Sequence, residues 1–249
     1  MNKSFRTLAV ILAAATIALF AASCAKNELD TNNEKIIGVK RAINASATMP
    51  QPTTAEKAYL DVTDGCKVKW EPSDAINVNG SNLALTNLYT DPTKARFEGT
   101  TYAISSGSND VYWFVYPTIL AGTASGSTIP SSFTANRLTV TLPDVQTFDL
   151  SQTKILEGST YMAAKASVPA GQTNLVFSMK NLCAVMKIHL SATGVSNTNV
   201  ERLVFSSSSR LNGTFYFDGS AVTASTASTC NLLTINLTDG TNSYISNYK

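Results

Sequence analysis

One histidine and four cysteines are all that 249 residues offer for imidazole or thiol chemistry. A hydrolytic triad needs a base held beside a nucleophile and an orienting group. Only His189 could be that base, and strand alternation sets it beside Lys187, opposite an apolar face, as a surface or interface residue. The cysteines form no CxxC pair and no Cys/His cluster, so a zinc site has no support. Charged residues make up 14% of the chain and gather in no basic patch, which argues against nucleic acid as a partner. No glycine loop for phosphate is present, and Asn77, Asn79 and Asn82 around Gly80 lack the acidic count of a calcium loop. Glu71 and Asp74 suggest the paired carboxylates of glycoside hydrolysis, but their place in a turn fits the capping of backbone amides better. Trp70, Tyr112 and Trp113 could line a sugar platform, yet aromatics on apolar strands more often fill a core. The expectation is a protein that is not an enzyme and needs no cofactor and no metal.

What is present begins at the N-terminus. Lys3 and Arg6 precede an apolar stretch, residues 8–22, that ends Phe20-Ala21-Ala22-Ser23-Cys24. At about fifteen residues the stretch falls short of the ~20 needed to span a bilayer as a helix. Small residues before a cysteine mark a bacterial lipoprotein signal, cut between Ser23 and Cys24, with the lipid on Cys24. Residues 1–23 are therefore expected to be removed. Each buried lipid methylene contributes ~0.8 kcal/mol, so two or three acyl chains would hold the protein to a membrane. Without Lys3 and Arg6, seventeen basic residues face seventeen acidic ones, and the mature chain is formally neutral. Cys66, Cys183 and Cys230 remain. Cys183 and Cys230 could pair, leaving Cys66 single, but buried free thiols are the preferred reading.

Beyond a polar tether, residues 25–35, the pattern is β throughout, and no segment keeps a helical period over three turns. Ile36-Ile37-Gly38-Val39 is a short β-like run before the basic pair Lys40-Arg41, and residues 47–55 read as a loop. Val111-Tyr112-Trp113-Phe114-Val115-Tyr116 is apolar on both faces and predicts a central strand that Pro117 ends. Leu138, Val140 and Leu142 alternate onto one buried face, and so do Leu182, Ala184, Met186, Ile188 and Leu190. Phe215-Tyr216-Phe217 and the run from Leu233 to Leu237 each lead into an Asp-Gly turn. Short strands at intervals of about 8–12 residues suggest β-sandwiches. The expected division is 24–45 as tether and N-terminal strand, 46–150 as a first sandwich and 151–249 as a second.

The order of several segments resembles the fimbrillin family, Bacteroidales-type lipoprotein pilins of gut and oral anaerobes. The matching pieces are Trp70-Glu71-Pro72-Ser73-Asp74-Ala75-Ile76-Asn77-Val78, then Ala95-Arg96-Phe97-Glu98-Gly99, then Val115-Tyr116-Pro117. Leu142-Pro143-Asp144-Val145-Gln146, Met162-Ala163-Ala164 and the segment 176–188 follow in the family's order. The resemblance implies an all-β protein of two tandem transthyretin-like sandwiches. It also implies assembly by strand donation, in which a groove accepts an extended segment of a neighbouring subunit. In stalk subunits a trypsin-like protease removes the N-terminal strand after a basic residue. Arg41 fits that position, with Ala42 as the new N-terminus; the competing reading is a solvated basic pair in a tether. The family continues past the Asp239-Gly240 turn, so the second sandwich is expected to be incomplete, or closed by residues 242–249.

The expected function is a structural subunit of a cell-surface fimbria that contributes to adhesion. Its partners would be other fimbrial subunits, the outer membrane through the lipid on Cys24, and a host or bacterial surface ligand. The alternative is a lipoprotein that does not polymerise and binds a glycan or host ligand.

Overall fold

The computed structural model describes residues 36–50, 69–118, 122–149, 161–183, 199–225 and 231–238. All lie in one compact unit, Lys35–Lys249. Cys24, Ser23, Cys66, His189, Cys230 and the segments 184–190 and 239–249 fall outside the described residues. Among the described residues no helix is long and apolar enough to cross a membrane.

The architecture is all-β, with fourteen strands named among the described residues. β1 (Val39–Thr48), β2 (Ala75–Val78), β3 (Ser81–Leu88), β4 (Lys94–Ser106) and β5 (Asn109–Tyr116) share one sheet with β8 (Met162–Pro169), β9 (Asn174–Ser178) and β10 (Lys180–Asn181). That sheet folds over on itself. β4 pairs with β3 and β1 and, at its far end, with β5, while β5 returns to β2. β6 (Leu138–Leu142), β12 (Gly213–Phe217) and β13 (Val222–Ala224) form a second sheet. β7 (Val145–Asp149), β11 (Arg202–Ser206) and β14 (Leu232–Thr238) form a third. Pairing crosses residue 150 repeatedly: β8 joins β5, β9 joins β1, and β6 and β7 join β12 and β14. A cut at that position would divide all three sheets.

β5 is the strand around which two cores form. Its side chains alternate, so Tyr112 and Phe114 enter one core with Ile43, Ala45, Phe97 and Phe177. Val111, Trp113 and Val115 enter the other, the outer core, with Ile129, Phe133, Leu138, Val140 and Phe217, and the first is the inner core. The expected central strand is therefore present and buried on both faces. β6 likewise spans the five residues expected of it, with Leu138 and Val140 buried.

The β2–β3 hairpin turns on Asn79-Gly80, with φ of 47° and 91°. Asn-Gly tolerates these positive values, which a two-residue hairpin of this twist requires. The Asn79 side chain donates to the carbonyls of Tyr102 (2.8 Å) and Val111 (2.9 Å) and accepts from the Trp113 amide (2.9 Å). One buried amide thus ties the turn to β4 and β5. Asn77 holds the same turn, accepting from the Gly80 amide at 2.9 Å and donating to Asn82 at 2.8 Å.

β1 extends well beyond the β-like run at its start. It passes through Lys40 and Arg41 and past Ala45, and its last residues, Ala47 and Thr48, lie in the stretch expected to be a loop. Ile43, Ala45 and Ala47 face the core while the residues between them face out. The small inward side chains leave room for large ones on the neighbouring strand; Ala45 lies opposite Phe97.

Candidate functional site

Arg41 sits inside a paired strand. Its register partner on β4 is Thr101, and Ala42, the residue after the candidate cut, faces Thr100. Arg41 shares the inward face of β1 with Ile43, and Asp110 shares the corresponding face of β5 with Tyr112. The two meet at the end of the inner core, Arg41 Nε donating to Asp110 Oδ2 at 3.2 Å. Arg41 is 28% exposed and Asp110 1%. The same carboxylate oxygen accepts from the Gly171 amide at 2.9 Å, in the turn between β8 and β9. A carboxylate this deep needs a counter-charge as well as hydrogen bonds, because burial removes its hydration. Arg41 supplies the charge.

Tyr112 brings its buried hydroxyl beside this pair, without a hydrogen bond of good geometry. Burial first, and then the negative charge of Asp110, push the phenol up to about 12.

The segment ahead of Arg41 has a docking place of its own. Ile36 accepts from the Ile129 amide at 3.0 Å and Gly38 donates to Ser127 at 2.9 Å, with Ile37 bridged to Thr128. Val39, Lys40 and Arg41 then pair with Ala103, Tyr102 and Thr101. Ile36 packs against the outer core while Ile37 is 67% exposed. β9 joins β1 only from Asn44 onward, so residues 39–43 have β4 as their single strand neighbour among the described residues. Gly38 lies so close to this surface that a Cβ would stand 2.5 Å from Tyr102 Cβ and 2.6 Å from Ile129 Cδ1. Real side chains do not approach so closely, which is why glycine occupies this position.

The basic pair is thus split in role: Lys40 is exposed, and Arg41 is bonded to a buried acid. Neither residue lies in a loose tether. A protease binds an extended strand freed of its neighbours, so the bond after Arg41 is open to it only when the start of β1 lifts from β4.

The other sequence candidates resolve into packing and turns. Asp74 accepts from the Glu71 amide at 2.8 Å and from the Tyr116 hydroxyl at 3.1 Å, closing the turn ahead of β2. Trp70 is buried edge-on against Phe97 and Tyr116, with centroids 5.0 and 5.7 Å apart. Tyr112 and Trp113 are buried too. Cys183 is a free thiol, half-buried, and burial pushes it up to about 11.

Asp110 and Gly38 were the residues that sequence reasoning passed over. A glycine inside a β-like run, three residues before a basic one, was the visible signal for the close approach. Asp110 had a weaker one, since an Asn-Asp pair ahead of an aromatic strand reads as an ordinary turn. In comparisons with protein-family models, curated proteins and solved structures, none matches this chain.

Proposed function

We propose that this chain is a structural subunit of a cell-surface fimbria, exported as a lipoprotein through Cys24, assembled by β-strand donation and contributing to adhesion. The observation that carries the reading is the short segment ending at Arg41, which occupies a place of its own beside β4 and, among the described residues, has one strand neighbour at residues 39–41. Removing residues 36–41 would uncover Tyr102, Ala103 and Ile129 and leave unpaired backbone along β4. That surface is what an incoming strand completes.

On this reading the lipid delivers the subunit to the outer membrane, and its partners are further fimbrial subunits. Cleavage at Arg41 would discard lipid and segment together, whereas an anchor subunit would keep both. The two tandem transthyretin-like sandwiches of this reading, 46–150 and 151–249, would exchange strands across residue 150, because β8 joins β5 and β12 joins β6. The rival reading, a ligand-binding lipoprotein that does not polymerise, draws no support from Trp70, Tyr112 and Trp113, since all three are buried.

The test is treatment of the surface protein with a trypsin-like protease, followed by gel analysis without heating. SDS-resistant ladders and a new N-terminus at Ala42 are expected. Ladders that persist in an Arg41→Ala protein, with the N-terminus still at Cys24, would overturn cleavage-gated donation.

A further inference from the structure

We infer that the place held by residues 36–41 selects its occupant by chemistry, admitting a partner strand with glycine at the position of Gly38 and a cation at that of Arg41. The inference rests on the strand-donation reading and specifies the partner that reading leaves open.

The argument starts from what cleavage would leave behind. If the bond after Arg41 is cut and the segment departs, Asp110 stays in the wall of the inner core, bonded to the Gly171 amide. Among the described residues Arg41 is the one cation in contact with it. An amide offers a hydrogen bond but no net charge, and a carboxylate buried to 1% exposure is costly without one. The incoming strand must therefore bring a positive side chain to the position opposite Thr101, on the face turned toward the inner core.

The second requirement is steric and lies on the opposite face of the same strand. At the position of Gly38 any Cβ would collide with Tyr102 Cβ and Ile129 Cδ1, one on β4 and the other in the segment before β6. Neither neighbour can swing clear, because Ile129 is buried in the outer core and a Cβ is fixed by its own backbone. Two residues earlier, Ile36 packs on that core. The matching pattern is apolar-x-Gly-x-x-cation, in which the odd spacing between glycine and cation puts them on opposite faces. Two independent features, a charge and a close approach, thus fix the register of a donated strand. A slip of one residue would set a Cβ against Tyr102 and turn the cation outward.

The experiment uses the full chain cut at Arg41 and a fluorescent hexapeptide of residues 36–41, with Arg41→Ala and Gly38→Val versions. Anisotropy should show the parent peptide binding ~10-fold or more tightly than either variant. In an Asp110→Asn chain the Arg/Ala difference should vanish while the Gly/Val difference stays. Equal binding of the parent and Arg41→Ala peptides would overturn the cation requirement, as would an unaltered preference in Asp110→Asn. Either result leaves strand donation standing if ladders still form; absence of ladders with the peptide preference intact would sink donation alone. Failure of every peptide to bind would overturn the docking place itself. Should the chain resist cutting, a double-mutant cycle of Arg41→Ala and Asp110→Asn in the intact protein decides, and additive effects would refute the coupling.

Discussion

Phe114 and Phe177 lie face to face across the inner core, their ring centroids 3.6 Å apart and their planes 13° from parallel. The first is on β5 and the second on β9, so the stack joins the central strand to one whose single strand partner among the described residues is β1. Truncating Phe177 would empty a space that neighbouring strands cannot close. Phe177→Ala should therefore cost about 3–5 kcal/mol in urea unfolding. Val176→Ala, on the outward face at 82% exposure, should stay within about 0.5 kcal/mol. Similar losses at the two positions would mean that the stack is not where β9 is held.

Asn79 makes a second prediction, because its side chain satisfies three backbone groups from within a turn at positive φ. Asn79→Ala strands two carbonyls and an amide and should cost about 3 kcal/mol or more. Asn79→Gly keeps the turn conformation but loses the same bonds, so most of the loss should persist. Full recovery in the glycine variant, read from urea midpoints, would show that conformation rather than bonding sets the cost.

The Arg41–Asp110 pair also carries a prediction about access for a protease. Asp110→Asn removes the counter-charge and loosens the start of β1, so limited trypsin digestion should cut after Arg41 ~10-fold faster or more. The rate is read as the appearance of the Ala42 N-terminus. Unchanged cleavage would show that β-pairing with β4 alone protects the bond.

Alkali should weaken the fold. An unfolded tyrosine loses its proton near pH ~10, whereas folded Tyr112 holds it up to about 12. The unfolded state therefore releases the proton first. The stabilising contribution is whole below pH ~10, falls as pH climbs from there and is gone above about 12. Tyr161 and Cys183 are raised by burial and act with the same sign. Tyr112→Phe should flatten, without abolishing, the decline in urea stability between pH 9 and pH 11. A slope identical to that of the parent would remove Tyr112 from the explanation.

How far the residues disclosed this arrangement depended on whether the signal was local. β5 is legible because six large apolar residues in succession have only one solution, burial on both faces. β6, β12 and β14 follow from short alternating runs ahead of turns. The second half of β1 was hidden by its composition, since Ala, Asn and Ser carry little β preference and the alternation of Ile43, Ala45 and Ala47 is faint. Partner choice was hidden more deeply. Nothing near Asn174 announces that it will run parallel to Asn44, and nothing near Asp110 announces Arg41 sixty-nine residues away. Such pairings are decided by which faces remain uncovered once the whole chain has collapsed.

The antiparallel run of β1 along β4 covers ten consecutive residue pairs, and β9 flanks five of the same residues on the other side. Tension applied at the start of β1 and directed along its axis loads those rungs in shear. They share the load and yield together, unlike a hairpin peeled from its open end, which surrenders one rung at a time. As a mechanical element, β1 is strongest along its own axis.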